Sequence, residues 1–460
     1  MKKRIGRWVC LAAVLALISG CAVLTEPSHL MKTPNAKDEQ RAIYQAVIRS
    51  LPSGAKLLAP SKPERTSPIE LKDLDGDGEE EAIAFYKTKK DDYAIYILVL
   101  RREGDEWKRI IAEQNIGQTL YYADYQDVTG DGTLDIIMGI GSEEAIEPND
   151  LIVYALQGDK LKPLLNRPYT EVAVGNLDED KAAELVVFLH DREKLTAQAQ
   201  VYKMKNGSYT VVDTLPMDGT INSYEQVEIG RATREKWGVF VDVGVGAHSA
   251  YTDLLIMENG KLRNVFTAGR PEEASEKTWK AYSVPSEDIN HDGIMEIATL
   301  IEPPGVEDDI AMANMPWITS WSRWDGKAGL MPVHENYNNY EIGFRFDFPS
   351  NWTGKVTLQT EEKENSGSVS FYYTGQKDVA EQLPLLATVE YYARGIWKNK
   401  EKELAEKGMS YIRLQNAGDY VFIAYLPEQP LRLSDSAKEE YDQMQLSQEE
   451  IESLFQTIRF

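Results

Sequence analysis

Asp73-Leu-Asp75-Gly-Asp77-Gly-Glu-Glu-Glu81 places three acids at alternate positions, a glycine after the third, and a further acid four residues on. Alternate spacing in a tight loop lets side-chain oxygens converge on one point, and glycine allows the sharp turn where φ is positive. A hard oxygen cage of this kind suits Ca²⁺. An EF-hand loop would carry Glu at its twelfth position. Here that place is Ala84, and the closing acid comes early, at Glu81, ahead of a strand-like Ala-Ile-Ala-Phe-Tyr run.

The pattern recurs three times. Asp127-Val-Thr129-Gly-Asp131-Gly-Thr-Leu-Asp135 is the second copy and Asn176-Leu-Asp178-Glu-Asp180-Lys-Ala-Ala-Glu184 the third. Asp288-Ile-Asn290-His-Asp292-Gly-Ile-Met-Glu296 is another. The starts lie 54, 49 and 112 residues apart, so the last gap spans two periods. A worn unit fills it: Tyr224–Gly230, then Trp237–Asp242, strands kept and acids lost. Gly230-Arg-Ala-Thr-Arg234 stands where acids belong and predicts no metal there. In the third copy Lys181 replaces the glycine, and its ammonium is expected to compete with a cation. The candidate metal ligands are therefore Asp73, Asp75, Asp77, Glu81, Asp127, Thr129, Asp131, Asp135, Asn176, Asp178, Asp180, Glu184, Asp288, Asn290, Asp292 and Glu296. Asp-Gly and Asn-Gly runs also make good turns without any metal. Crowded carboxylates repel one another, however, and a divalent ion relieves that most directly.

Five units of about fifty residues are a repeat architecture. Each reads as four short strands. In the first they are Ile69–Asp73, Glu81–Tyr86, Tyr93–Leu100 and Glu106–Ala112; in the fifth, Ala281–Asp288, Glu296–Ile301, Trp317–Trp324 and Leu330–His334. Four antiparallel strands per unit, repeated radially, predict a mainly β chain with a five-bladed β-propeller over residues 66–334. The repeats resemble FG-GAP/VCBS repeats, the calcium-loop blades of integrin-α-type propellers and of many exported bacterial proteins. That resemblance implies a rigid scaffold for binding, with Ca²⁺ stiffening the loop between the first two strands of a blade.

Residues 1–20 read as a signal: Lys2, Lys3, Arg4 and Arg7, then an apolar run from Trp8 to Ile18 too short for a permanent span. Leu17-Ile18-Ser19-Gly20-Cys21 resembles the bacterial lipobox. The resemblance implies a fatty-acyl (palmitate) anchor on Cys21, an extracytoplasmic location and attachment to the cell membrane. Residues 21–65 read as a tether with a short helix over Asp38–Leu51. Cys10 and Cys21 are the only cysteines, so a disulfide framework, thiolate metal site or cysteine nucleophile is not expected in the mature fold.

Residues 335–460 change character and read as a small C-terminal α+β domain. Ser447 is expected to cap the last helix, with Glu450 as its capping-box partner. Gly343-Phe-Arg-Phe-Asp-Phe-Pro-Ser-Asn-Trp352 and Phe455-Gln-Thr-Ile-Arg-Phe460 resemble PsbP-type small domains, which implies an accessory or interaction module.

The chain holds 74 acidic against 50 basic residues, a formal charge of −24, and removal of residues 1–20 takes away four basic residues and no acid. Such a surface disfavours nucleic acid and an electrostatic hold on anionic lipid. His29, His190, His248, His291 and His334 fall in no two-histidine helical motif or triad order. The expected function is a calcium-stabilised binding or scaffold module, a monomer and not an enzyme, with a protein or glycan partner at the cell surface. The competing class is a carbohydrate-active hydrolase using a carboxylate pair in the propeller channel. Trp317, Trp321 and Trp324 sit at mixed parity and are expected to lie mostly in the core, since aromatics dominate packing between blades.

Overall fold

The computed structural model describes residues 36–63, 67–104, 106–141, 149–267, 275–305, 310–375, 383–427 and 433–458. The signal at 1–20 and Cys21 lie outside these residues. The chain divides into two compact units, one running through Leu120 with Gln157–Leu161, the other Tyr121–Leu156 with Lys162 onward.

In the first unit, helix α1 (Ala36–Ser50) carries Ile43, Ala46 and Val47 at helical spacing. Those three bury against Ala82, Ala84, Tyr86, Leu98 and Leu100. The sheet comprises β1 (Lys56–Leu58), β2 (Ile69–Lys72), β3 (Glu81–Thr88), β4 (Asp91–Glu103) and β5 (Glu106–Ile116). β1 and β2 share one edge of β3 end to end: Leu58 pairs with Phe85 and Ile69 with Ala84. The Pro- and Ser-rich stretch before residue 68 thus contributes a strand to the sheet.

Three four-stranded antiparallel meanders follow in chain order. These are β6 (Thr119–Gln126), β7 (Asp135–Gly141), β8 (Asn149–Gln157) and β9 (Lys160–Tyr169); β10 (Glu171–Gly175), β11 (Glu184–Asp191), β12 (Thr196–Lys205) and β13 (Ser208–Met217); and β14 (Ser223–Arg231), β15 (Trp237–Val245), β16 (Ser249–Glu258) and β17 (Lys261–Asn264). Successive sheets bury their faces on one another. Ile137, Leu151 and Val153 pack with Leu185 and Val187. On the far face of the next sheet, Val186, Phe188 and Ala199 pack with Val239, Phe240 and Val241. Central strands are apolar on both faces, as the burial of all but the last residue of β7 shows.

Two expectations for the fifth unit need correction. The segment Ala281–Asp288 is not a strand; β18 (Ile297–Ile301) leads the sheet, with one isolated bridge from Glu287 to Glu296. Pro285 has no N–H to give to a ladder, and neighbouring backbone groups bond elsewhere: Lys280 bridges Ala250, and the Ser286 N–H goes to the Asp242 carboxylate. The last strand of the unit also does not stop at His334. After β19 (Ile318–Trp324), β20 runs Leu330–Asn339 across the boundary placed at 334/335. It pairs with β21 (Phe344–Asp347), which pairs with β27 (Phe455–Thr457), so both ends of the C-terminal segment extend the fifth sheet.

The rest of that segment forms a second sheet in the order β22 (Val356–Lys363), β23 (Ser366–Tyr373), β24 (Leu385–Ala393), β26 (Tyr420–Tyr425), β25 (Ile412–Ala417). Helix α2 (Ser275–Thr278) precedes it in the chain; α3 (Arg394–Glu406), α4 (Asp435–Met444) and α5 (Gln448–Leu454) accompany it. Phe344, Phe346, Phe348, Trp352 and Phe371 form its aromatic core. Burial of each such side chain contributes about 1.5–3 kcal/mol. The predicted capping box is present at α5: Ser447 Oγ accepts from the Glu450 N–H at 3.2 Å, and Glu450 Oε2 accepts from the Ser447 N–H at 2.7 Å.

Candidate functional site

The four acidic loops occupy one place in four sheets, between the strand pairs ending at Lys72/Glu81, before β7, between Gly175 and Glu184, and between Glu287 and Glu296. Their backbones share a design. The closing acid accepts a hydrogen bond from the second loop residue: Leu74 N–H to Glu81 at 3.0 Å, Val128 to Asp135 at 3.0 Å, Leu177 to Glu184 at 2.6 Å and Ile289 to Glu296 at 3.1 Å. The third acid closes a small turn two residues on, from Asp77 to Glu79, Asp131 to Thr133, Asp180 to Ala182 and Asp292 to Ile294. The first acid caps its loop in three copies. Asp73 accepts from Gly76 and Gly78, Asp127 from Gly130 and Gly132, and Asp288 from Asp292 and Gly293. Asn176 instead donates to the Asp180 carbonyl. The acids therefore build the turns, as their type allows.

The backbone conformation repeats as well. The fourth loop residue is left-handed in every copy, with φ of +75° at Gly76, +77° at Gly130, +61° at Glu179 and +58° at His291. The sixth is left-handed where it is glycine, at Gly78, Gly132 and Gly293, and Lys181 is not among the left-handed residues. His291 is solvent-exposed.

What holds each set of acids together differs. Ligand-type oxygens of Asp73, Asp75 and Glu81 lie within 4.8 Å of one another, as do those of Asp178, Asp180 and Glu184. In both clusters a basic side chain from the third strand of the sheet occupies the focus. Arg101 bonds Asp75 at 2.6 Å and Glu81 at 3.0 Å. Lys203 Nζ lies 2.5, 2.9 and 2.7 Å from Asp178, Asp180 and Glu184. In the fifth unit Arg323 bonds Glu296 at 2.5 Å and also Asp292. Lys181 points to solvent, so the ammonium in the third loop comes from Lys203 instead.

The second loop has no such group. Asp135 is fully buried, and its Oδ1 has no hydrogen-bond partner. Among the described residues no basic side chain pairs with it. Burial holds its carboxyl up at about 7, opposed by the Val128 N–H and reinforced by the charges of Asp131 and Asp127. Burial also raises Glu81, Glu184 and Glu296 above the usual carboxylate range, with Arg101, Lys203 and Arg323 opposing it. Asp135 is thus a buried carboxylate with an oxygen to spare, within electrostatic reach of Asp131 and Asp127, although these three carboxylates do not converge within 4.8 Å as those of the first and third loops do. Asp127 and Asp131 retain free lone pairs beyond the bonds they accept, and Thr129 bonds Asp127 from within the loop. The donor set is all oxygen, which fits a hard cation.

In the fourth unit Arg231 lies 4.7 Å over the Trp237 ring and donates to the Arg234 carbonyl. Trp321 and Trp324 are buried on β19, both faces of which are covered, and Trp317, just before it, is buried with Ala298 and Leu300; Trp279 is partly exposed and meets Trp317 edge-on at 6.2 Å. His248 is exposed. Glu228 and Glu287 are solvent-accessible, yet desolvation holds both above the usual range, and Glu287 adds to the rise at Glu228.

No protein-family model matches the chain, and no curated protein shows significant similarity to it. Among solved structures it is similar to Sqt1 of Saccharomyces cerevisiae, at 10% identity and TM-score 0.34 over 65% of this chain and 83% of that one. A Lactobacillus plantarum protein gives 10% identity and TM-score 0.31 over 70% and 92%. TolB from Acinetobacter baumannii gives 9% and 0.23 over 61% and 57%. At these values the likeness is loose and assigns neither ligand nor activity. No described helix is long and apolar enough to cross a membrane.

Proposed function

We propose that this chain is a lipid-anchored, extracytoplasmic binding and scaffold module. Its antiparallel meanders close as a five-bladed propeller, and a calcium ion stiffens them at the acidic loops, the second above all. A protein or glycan at the cell surface is the partner class. The observation that carries the calcium assignment is Asp135: wholly buried, with one oxygen unpartnered and Asp127 and Asp131 beside it. Asp127, Thr129, Asp131 and Asp135 would hold the ion, which supplies the positive charge this loop lacks. Stacked meanders joined by short turns give the rigidity a scaffold needs.

A thermal melt of the full-length chain in mild detergent tests the ion. Millimolar Ca²⁺ is expected to raise the melting temperature over chelator. Ten times the dissociation constant corresponds to about 1.4 kcal/mol of added stability, and Asp127→Ala should abolish the rise. An unchanged melt at 10-fold and 100-fold higher Ca²⁺ defeats the calcium assignment. The anchor has its own check. Metabolic labelling with a palmitate analogue should mark the wild-type chain and leave Cys21→Ser unlabelled; equal labelling of both would reject Cys21 as the acceptor.

A further inference from the structure

Strand register places one residue opposite each closing acid. Ala82 pairs with Leu100, so Arg101 faces Glu81. Leu185 pairs with Tyr202, so Lys203 faces Glu184. Ile297 pairs with Ser322, so Arg323 faces Glu296. In the second unit Ile136 pairs with Tyr154, and the residue facing Asp135 is Ala155. A methyl group therefore stands where the other three units carry a positive charge, and Ala155 is buried, with no reach toward the acids.

The three basic heads are not surface decoration. Side-chain exposure of Arg101, Lys203 and Arg323 is 22%, 18% and 21%, and each is ion-paired with a closing acid that is at most 1% exposed. Each bridges the closing acid to a second loop acid: Asp75, Asp178 with Asp180, or Asp292. A cation bound to an oxygen cage would likewise draw the closing acid and the loop onto one charge. Where that side chain is present, a divalent ion would have to displace an ammonium or guanidinium held by short charge-assisted bonds. Asp75 Oδ1 and Glu184 Oε1 also lack a hydrogen bond, but their carboxylates are ion-paired with Arg101 and Lys203; the wholly buried Asp135 has an oxygen without a hydrogen bond and no basic partner among the described residues.

We infer that Arg101, Lys203 and Arg323 replace the cation in the first, third and fifth loops, leaving the second loop, opened by Ala155, as the single divalent-ion site of the four. This rests on the calcium assignment above and narrows it. The side chain facing the closing acid decides whether a loop takes a metal or carries its own charge.

Calcium titration by calorimetry on the full-length protein tests it, with near-ultraviolet circular dichroism to confirm folding. The wild type should bind about one ion per chain, as one oxygen cage of this size accommodates. Ala155→Lys should bind none, and its melting temperature should no longer respond to Ca²⁺. Arg323→Ala should melt lower in chelator and gain a second ion with recovery of stability. Lys203→Gln offers the same test in the third loop should Arg323→Ala fail to fold. Two or more ions in the wild type, or one ion still bound by Ala155→Lys, would overturn the inference while leaving a calcium-binding scaffold. No ion in the wild type or in either loss-of-charge variant would instead defeat the calcium assignment itself. Those outcomes separate the two.

Discussion

Lys280→Ala is expected to destabilise the protein by about 3–5 kcal/mol, the cost of breaking a buried ion pair and leaving its partner charge uncompensated. Lys280 and Asp242 are both essentially inaccessible to solvent, and Lys280 Nζ lies 2.8 Å from Asp242 Oδ1. The ammonium also donates to the Val284 carbonyl. Asp242, from the centre of β15, further accepts from Thr252 Oγ1, from Ser286 N–H at 2.8 Å and from Ser286 Oγ. This one carboxylate collects the irregular stretch 280–286 onto the fourth sheet. Thr278 completes the seam, with its hydroxyl bonded to the Thr252 backbone. Removing the ammonium leaves hydroxyl and amide donors that cannot neutralise a full buried charge. Denaturant unfolding at pH 7 measures the loss. A loss under 1 kcal/mol would show that water reaches Asp242. Neutralising both residues, Lys280→Met with Asp242→Asn, should recover part of the loss, since it removes the uncompensated charge while the amide oxygen can still accept from Ser286 and Thr252.

That seam also marks where the sequence stops being legible. Unit boundaries can be read because Asp-Gly turns punctuate apolar runs at a regular period. The strands of the first unit fall within a few residues of the expected places for that reason. The segment before the fifth loop has the composition of a strand, yet Pro285 and the pull of Asp242 on Ser286 take its backbone away from a ladder. Lys280 looks like an exposed residue in sequence, since its partner lies 38 positions earlier. Arg101, Lys203 and Arg323 escape notice for a related reason. They follow their closing acids by 20, 19 and 27 residues, and only register brings each one opposite its acid. A basic residue near the end of the strand that follows the one opened by the closing acid, in three units, with Ala155 in that place in the second, is the signal that could have shown it. The joining of β21 and β27 to the fifth sheet is invisible for the same cause, because Phe344–Asp347 meets Phe455–Thr457 only in space.

Asp253→Asn should flatten much of the stability lost as pH rises from about 4 to 7. Asp253 is buried within β16, and desolvation pushes its carboxyl up to about 7. Asn264 Nδ2 donates to it at 2.5 Å and opposes that rise, while the charges of Asp218 and Asp242 add to it. Tyr224 and Tyr251, held high by burial, face the same group. In the unfolded chain the carboxyl titrates near its ordinary value of 3.8. Between the two values the native state keeps a proton that the unfolded state has released. Stability therefore falls as pH rises through this window and levels off above about 7, once both states are ionised. A separation of roughly three pH units corresponds to at most about 4 kcal/mol. An amide at this position can still accept from Asn264 and has no charge to bury. The variant should thus match the wild type near pH 4 and exceed it by several kcal/mol at pH 8, measured by denaturant unfolding across that range in chelator. Asp135 carries a slope of the same sign, so some pH dependence should survive in Asp253→Asn. Equal stability of the two proteins at pH 8 would mean that the native state accommodates the Asp253 charge, and the burial argument for this carboxylate would be lost.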